Sequence, residues 1–152
     1  MRRARYPAAA LPAWLRRGAA SVAALESALR RETGFVRIWI AEALGAIGPA
    51  AADAAPALVE ALAAGDADLR LKAAHALCAI GARTGEAALA LEESLRHPDA
   101  SVREEACLLL EEMGPAAAAA APGLLAATRD RSSAVRRAAG RALAAVRGEA
   151  PG

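Results

Sequence analysis

Aromatic residues and long apolar stretches are scarce in this sequence. Only 3% of its 152 residues are Phe, Trp or Tyr, and much of the 56% hydrophobic fraction is alanine. Alanine favours helices but buries little area per residue. No stretch is both long and apolar enough to predict a transmembrane helix. The composition therefore predicts a helical domain that does not span a membrane.

Cysteine, histidine and lysine are also rare, and neither sign of charge dominates. The two cysteines, Cys78 and Cys107, are too few for a disulfide framework, so we expect a reducing, cytoplasmic location. The basic residues are almost all arginine, and Lys72 is the only lysine. The net charge of +2 is far from the strong basic excess typical of nucleic-acid-binding domains. We therefore expect no nucleic acid partner.

A repeat of 33 residues is the main positive signal. Arginines, leucines, large apolar residues and glycines recur at this interval: Arg37, Arg70, Arg103 and Arg136; Leu44, Leu77, Leu110 and Leu143; Ile47, Ile80, Met113 and Val146; Gly48, Gly81 and Gly114. A period in this range is typical of solenoids, in which each unit packs on its neighbours.

Each copy predicts a helix with marked ends. In the first full copy the apolar residues have the spacing of one helical face: Val36, Ile40, Ala43, Leu44 and Ile47. The predicted N-caps are Thr33, Asp66, Asp99 and Ser132. The recurring glycines, two of them followed by proline, predict the helix ends.

A second helix is predicted in each interval, at about 20–31, 53–64, 86–96 and 119–129, with leucines in register. One helix pair cannot bury its apolar face alone, so the pairs are expected to stack. The helix at about 132–147 has no partner after it and is predicted to cap the stack.

The first 31 residues have two possible interpretations. Their basic start and apolar middle resemble a signal peptide, but Pro7 and Pro12 interrupt a short apolar part. Leu11 and Trp14 fall in register with the later repeats, as do Leu25 and Leu29. We favour a degenerate first repeat at residues 7–31 over a targeting segment.

The motif V-R-x-x-A-x-x-A-L-x-x-I-G-P, followed by A-A-P-A-L-V-E-A-L, resembles the HEAT repeat. It is most similar to the phycobilisome-lyase-type HEAT-like repeat, well over residues 33–147 and weakly over 7–31. The resemblance implies an all-α fold, a right-handed α-solenoid of about four and a half helix pairs. It would form one domain over residues 1–152, with repeats starting near 33, 66 and 99 and a capping helix at 132–147.

The recurring arginines, called here the arginine ladder, lie in the first turn of their helices, where a cation opposes the helix dipole. The nearest candidates for compensation are the aspartates in the loops just before these helices, Asp66, Asp68, Asp99 and Asp130. The resemblance implies an Asp–Arg ladder between adjacent repeats. An anion-binding row is the alternative, and we favour the structural role.

No residue pattern predicts catalysis or a cofactor. His75 and Cys78 lie on one helical face and could ligate a metal with Glu42 and Glu111, but a surface histidine beside a half-covered cysteine is the favoured interpretation. Neither His75 nor His97 precedes a glutamate, as the di-iron hydroxylases of HEAT type would require. No nucleophile has a recognisable base, and no phosphate-binding loop is present.

A protein-binding strip is predicted opposite the core stripe, on the side that the resemblance makes concave. It comprises ten residues: Ile38, Trp39, Glu42, Leu71, His75, Glu104, Leu108, Glu111, Arg137 and Arg141. Packing of Ile38 and Trp39 under the first repeat is an equal alternative.

Charge is segregated along the chain. Residues 1–31 hold seven Arg and one Glu, residues 86–112 hold eight acids and two Arg, and residues 129–147 hold six Arg and one Asp. The basic ends are either polar caps of the stack or contacts for an acidic partner or membrane surface.

These observations predict a monomeric, non-enzymatic scaffold or adaptor that binds a protein. An accessory subunit of a phycobilin lyase is the alternative that the resemblance allows. A HEAT-like DNA-repair glycosylase is a weaker one, because the net charge is low and residues 86–112 are acidic.

Overall fold

The computed structural model describes residues 21–149, and these form helices and connecting turns with no strand. The α-helices are α1 (Val22–Arg31), α2 (Phe35–Ile47), α3 (Ala55–Leu62), α4 (Ala67–Ile80), α5 (Thr84–Ser94), α6 (Ala100–Met113), α7 (Ala121–Ala127) and α8 (Ser133–Val146). Two 3₁₀ segments, Gly48–Ala54 and Gly114–Ala120, precede α3 and α7. The all-helical prediction is confirmed, and the arrangement fits an α-solenoid.

The starts of α4, α6 and α8 are capped by side chains at the expected places. Asp66 accepts the Leu69 N–H at 3.0 Å, Asp99 accepts the Ser101 N–H at 2.8 Å, and Ser132 caps α8. These bonds satisfy first-turn donors that have no partner inside the helix. The prediction that Thr33 caps α2 is wrong, because α2 begins after Gly34, which provides no side chain.

The turns after α2 and α6 differ from the turn after α4. Gly48 (φ 74°, ψ −144°) and Gly114 (φ 55°, ψ −138°) lie in a region that is nearly exclusive to glycine, and each opens a Gly-Pro 3₁₀ segment. Gly81 has ordinary left-handed angles (φ 77°, ψ 25°), and α5 begins three residues later without a 3₁₀ segment. The middle turn therefore departs from the repeat.

The even-numbered helices stack as one layer, with unequal contacts. The pairs α2–α4 and α6–α8 pack along much of their lengths, whereas α4 and α6 contact each other much less. The approach of α2 to α4 is close at Gly45, where a Cβ atom would lie 3.1 Å from the Ala76 Cα. The looser α4–α6 contact coincides with the turn that lacks the Gly-Pro segment.

The core is wider than the predicted stripe. Ile38 is 6% exposed and Leu71 is 1% exposed, so their predicted place on a surface strip is wrong. Conversely Ile47, predicted in the core stripe, is 40% exposed. Each even-numbered helix packs against an odd-numbered helix and also against a neighbouring even-numbered helix, so two of its sides are buried rather than one.

The segment Phe35–Leu62 is helical and apolar enough, by length and composition, to cross a membrane. The expectation that no stretch meets this condition is therefore not confirmed. In the structure the chain turns at Gly48 and Pro49, and α2 and α3 both pack against α4. A soluble solenoid core has the same composition, so the segment alone is weak support for a membrane span.

The predicted first repeat lies only partly within the described residues. Leu11 and Trp14 lie outside them. Leu25 and Leu29 of α1 are buried, and α1 packs against α2 and the Gly48–Ala54 segment. A repeat beginning at residue 7 stays a prediction.

Candidate protein-binding face

The arginine ladder joins each even-numbered helix to the end of the helix before it. Arg37 Nε donates to the Leu29 carbonyl at 2.9 Å, and Arg70 Nε donates to the Leu62 carbonyl at 3.0 Å. Arg136 donates to the Asp130 carbonyl at 2.8 Å. Arg37 and Arg70 thus lie beside the negative end of the preceding helix, which offsets their unfavourable place at the start of their own, whereas Arg136 binds carbonyls of the loop after α7.

Arg103 makes the most bonds of the ladder and is 4% exposed. Its Nε and Nη2 donate to both carboxylate oxygens of Asp130, at 2.8 and 2.9 Å. Its Nη1 donates to the carbonyls of His97 and Pro98, at 2.8 and 2.9 Å. Arg103 and Asp130 are both largely buried and share two parallel hydrogen bonds. This is therefore the firmest polar contact between α6 and the loop that precedes α8.

Asp66 and Asp99 do not have the expected role of charge partners in the ladder. Within residues 21–149 neither forms an ion pair with an arginine, and both cap helices instead. Asp130 is the one ladder aspartate paired with an arginine in this range, and it lies in the loop between α7 and α8. Backbone carbonyls compensate the other arginines, which sequence spacing alone does not reveal.

Arg70→Ala is expected to lower the free energy of unfolding by about 1 kcal/mol, because the Leu62 and Ala64 carbonyls lose a charged donor. Arg96→Ala, an exposed change without a side-chain bond to lose, should have almost no effect. Urea denaturation of both variants measures the difference. Equal values would contradict a structural role for Arg70.

The pH dependence of stability should reflect Asp130. Its paired guanidinium, Arg103, and the Ser132 N–H hold the pKa of this carboxyl below its usual 3.8. The stabilisation is therefore present above the unfolded pKa and is lost as the pH falls through about 3.8 and below. In Asp130→Asn the free energy of unfolding should fall less steeply as the pH is lowered. Asp53→Asn, an exposed change, should leave this pH dependence unaltered. Unfolding curves at several pH values test this, and an identical pH dependence in both variants would contradict it.

The even-numbered helices are the second members of the pairs α1–α2, α3–α4, α5–α6 and α7–α8. The exposed face of their layer is called here the second-helix face. Its centre is one residue from each helix: Glu42 of α2, His75 of α4, Leu108 of α6 and Arg141 of α8. All four belong to the predicted strip, as do the half-buried Glu104 and Glu111 and the exposed Arg137. The row runs from acidic through apolar to basic.

Ion pairs cross this face between neighbouring helices. Lys72 Nζ lies 3.1 Å from Glu42 Oε1 and 3.9 Å from Glu105 Oε1. Arg141 Nε lies 3.2 Å from Glu111 Oε2. These side chains are exposed or half-exposed, so each pair is worth at most about 1 kcal/mol and can exchange partners readily.

Leu108 lies among four glutamates of its own helix: Glu104, Glu105, Glu111 and Glu112. They are three and four residues away on either side and therefore share its face. Leu108 is 38% exposed, which leaves a large apolar side chain at the centre of an acidic surround. The sequence pattern indicated Leu108, Glu104 and Glu111 as part of this face. It did not indicate Lys72, Glu105 and Glu112, each of which directly follows a residue of the predicted strip.

A cleft of about 420 Å³ opens between α4 and α6, the neighbouring even-numbered helices that contact each other least. Its lining is mixed and comprises His75, Cys78, Ala79, Thr84, Glu112, Met113 and Ala116. The His75 Nε2 atom lies 3.7 Å from a Glu112 carboxylate oxygen across it. The cleft adjoins Leu108 through Glu112, one helical turn along α6.

The cysteines are poorly suited to nucleophilic chemistry at neutral pH. Burial, reinforced by the nearby Glu112 charge, raises the pKa of the Cys78 thiol to about 11. Burial likewise raises the pKa of Cys107 to about 12. The alternative of a metal site at His75 and Cys78 gains no support, since residues 21–149 contain no cluster of three or more His, Cys, Asp or Glu suited to a metal.

The α2 end of the layer carries an aromatic pair. Phe35 and Trp39 meet edge to face, with ring centroids 5.7 Å apart and planes at 73°. Phe35 is 37% exposed and Trp39 is half-buried. Trp39 is therefore partly covered and partly at the surface.

Comparison with known families and proteins agrees with the fold. Residues 87–151 match the family model for HEAT repeats. No curated protein matches the chain. The matched part begins within α5 and includes α6, α7 and α8, which supports a HEAT-repeat protein. HEAT repeats are commonly protein-interaction scaffolds and generally non-enzymatic.

Proposed function

We propose that this chain is a non-enzymatic scaffold or adaptor that binds a protein through its second-helix face. The observation that carries the proposal is the row Glu42, His75, Leu108 and Arg141, which stacking aligns across four helices. A row of this kind offers charges for orientation and an exposed leucine for burial. A cytoplasmic location and a monomeric state are part of the same proposal.

The phycobilisome-lyase likeness rests on the sequence motif alone, and a role as a lyase accessory subunit would follow only if the partner proved to be a lyase subunit.

A DNA-repair glycosylase would need a basic groove. The second-helix face instead carries five glutamates, which would repel the phosphates of DNA.

Affinity capture from the source organism, followed by mass spectrometry, tests the scaffold proposal. Arg141→Glu should weaken capture of the identified partner in a salt-dependent way, because the charge lies exposed on the proposed face. Trp39→Ala should weaken it about thirtyfold if this ring anchors the partner. Glu93→Arg, an exposed charge reversal on α5, is the matched control and should leave capture intact.

Two results would contradict this placement. Loss of capture in Glu93→Arg with full capture in Arg141→Glu would put the binding face on the odd-numbered helices. A Trp39→Ala variant that binds normally but melts at a lower temperature would make Trp39 a core residue only.

A further inference from the structure

The α4–α6 cleft and Leu108 together suggest the chemistry of the partner. We propose that they bind a basic, amphipathic segment of that protein, with an arginine side chain in the cleft and a neighbouring apolar side chain on Leu108. This inference rests on the proposed function. It assigns recognition of an arginine to the cleft and recognition of an apolar side chain to Leu108.

The cleft suits the two parts of an arginine side chain. Cys78, Ala79 and Met113 offer an apolar wall for the aliphatic stem. Glu112 stands at the rim with its side chain 70% exposed, where its carboxylate can accept two N–H donors of a guanidinium. Within the described residues the Glu112 carboxylate accepts no hydrogen bond, and its one ion-pair contact is His75 at 3.7 Å, so its acceptor capacity is unused.

The surrounding charges favour a cationic occupant. The face carries five carboxylates, from Glu42, Glu104, Glu105, Glu111 and Glu112, against the three cations Lys72, Arg137 and Arg141. Lys72 and Arg141 are already paired with glutamates, so the acidic excess is concentrated at Glu104 and Glu112, on either side of Leu108. An apolar side chain between two basic ones on a bound segment would match this order.

The groove between α5 and α7 is a poorer candidate. It measures about 250 Å³ and has two acids, Glu92 and Asp130, beside Arg96. Asp130 already holds Arg103, and the Glu92 side chain fills the space beside Gly123. That groove has no exposed leucine on its lining, and its one unpaired acid, Glu92, stands beside the cation Arg96.

Fluorescence anisotropy with a labelled peptide tests the proposal on the full chain. The probe is a short helix-forming peptide with the order Arg-Leu-Arg on one face, and its control replaces arginine with the neutral isostere citrulline. A third peptide with the sequence of residues 129–147, which holds six arginines, represents the basic end of a second copy of this chain.

The arginine peptide should bind, and the citrulline peptide should bind about tenfold more weakly. Glu112→Gln should weaken the arginine peptide about tenfold without affecting the citrulline peptide, because only the charge is removed. Leu108→Ala should weaken both about fivefold. The matched controls are Glu93→Gln and Leu89→Ala on α5, exposed positions that should change neither affinity. Circular dichroism confirms that each variant is folded.

The proposal is overturned if the citrulline peptide binds as well as the arginine peptide, or if Glu93→Gln weakens binding as much as Glu112→Gln. Tighter binding of the 129–147 peptide than of the designed one, with self-association of the chain, would replace a foreign partner with a second copy. Capture that depends on Arg141 but not on Glu112 or Leu108 would leave the scaffold function standing and remove only this inference.

Discussion

Arg103→Ala is expected to lower the free energy of unfolding by about 3–5 kcal/mol, the largest effect among the ladder residues. The change leaves the Asp130 carboxylate, which is 12% exposed, without its paired cation. It also removes the donor to two backbone carbonyls. The melting temperature should fall by roughly 10 °C for a chain of this size.

Two companion variants separate the ion pair from simple loss of volume. Arg103→Lys keeps the charge but cannot donate to two carboxylate oxygens and two carbonyls together, so an intermediate loss is expected. The double variant Arg103→Ala/Asp130→Asn should lose clearly less free energy of unfolding than the sum of the two single variants, because the two side chains bind each other. Additive effects, or a loss no larger than that of Arg96→Ala, would mean that the pair does not hold the repeats together.

The second large effect is expected at the turn glycines. Gly114→Asn should lower the free energy of unfolding by about 1–3 kcal/mol, because φ 55° with ψ −138° is strained for any residue with a Cβ. The nearest atom to an added Cβ is the Ala145 carbonyl oxygen at 3.9 Å, an ordinary contact, so backbone strain alone accounts for the loss.

Gly81→Asn is the matched control for this prediction. The same substitution there meets left-handed angles that asparagine tolerates, and nothing lies within 4 Å of the added Cβ. We expect a loss below about 1 kcal/mol. Thermal melts of both variants make the comparison, and equal losses would contradict the difference between the two turns.

Much of the local structure could be predicted without coordinates. The N-caps at Asp66, Asp99 and Ser132 follow from residue type, since a short side-chain oxygen before an apolar helix satisfies a free N–H. The odd-numbered helices could be predicted from leucines that recur in register with the repeat. These features depend on residues within one or two turns of each other, so their physics is contained in a short window of sequence.

The exposed face of the even-numbered layer could be predicted only in part. The positions Glu42, His75, Leu108 and Arg141 were correctly expected to be exposed, because opposite faces of a helix differ in sequence. Ile38 and Leu71 were predicted to lie on the surface strip but are buried. Whether an apolar residue at the edge of a helix is covered depends on how the neighbouring helices pack against it. One helix in isolation has no information about those neighbours.

The sequence by itself determined the helices, their caps and the repeated arginines, because these arise from contacts between residues close in the chain. Only the tertiary structure decided how the arginines are compensated and where the layer opens. Arg103 binds an aspartate 27 positions away, and the other ladder arginines bind carbonyls, which every residue has and no residue name reveals. The cleft between α4 and α6 likewise exists because of how two helices pack, and packing distance is a property of the pair rather than of either sequence.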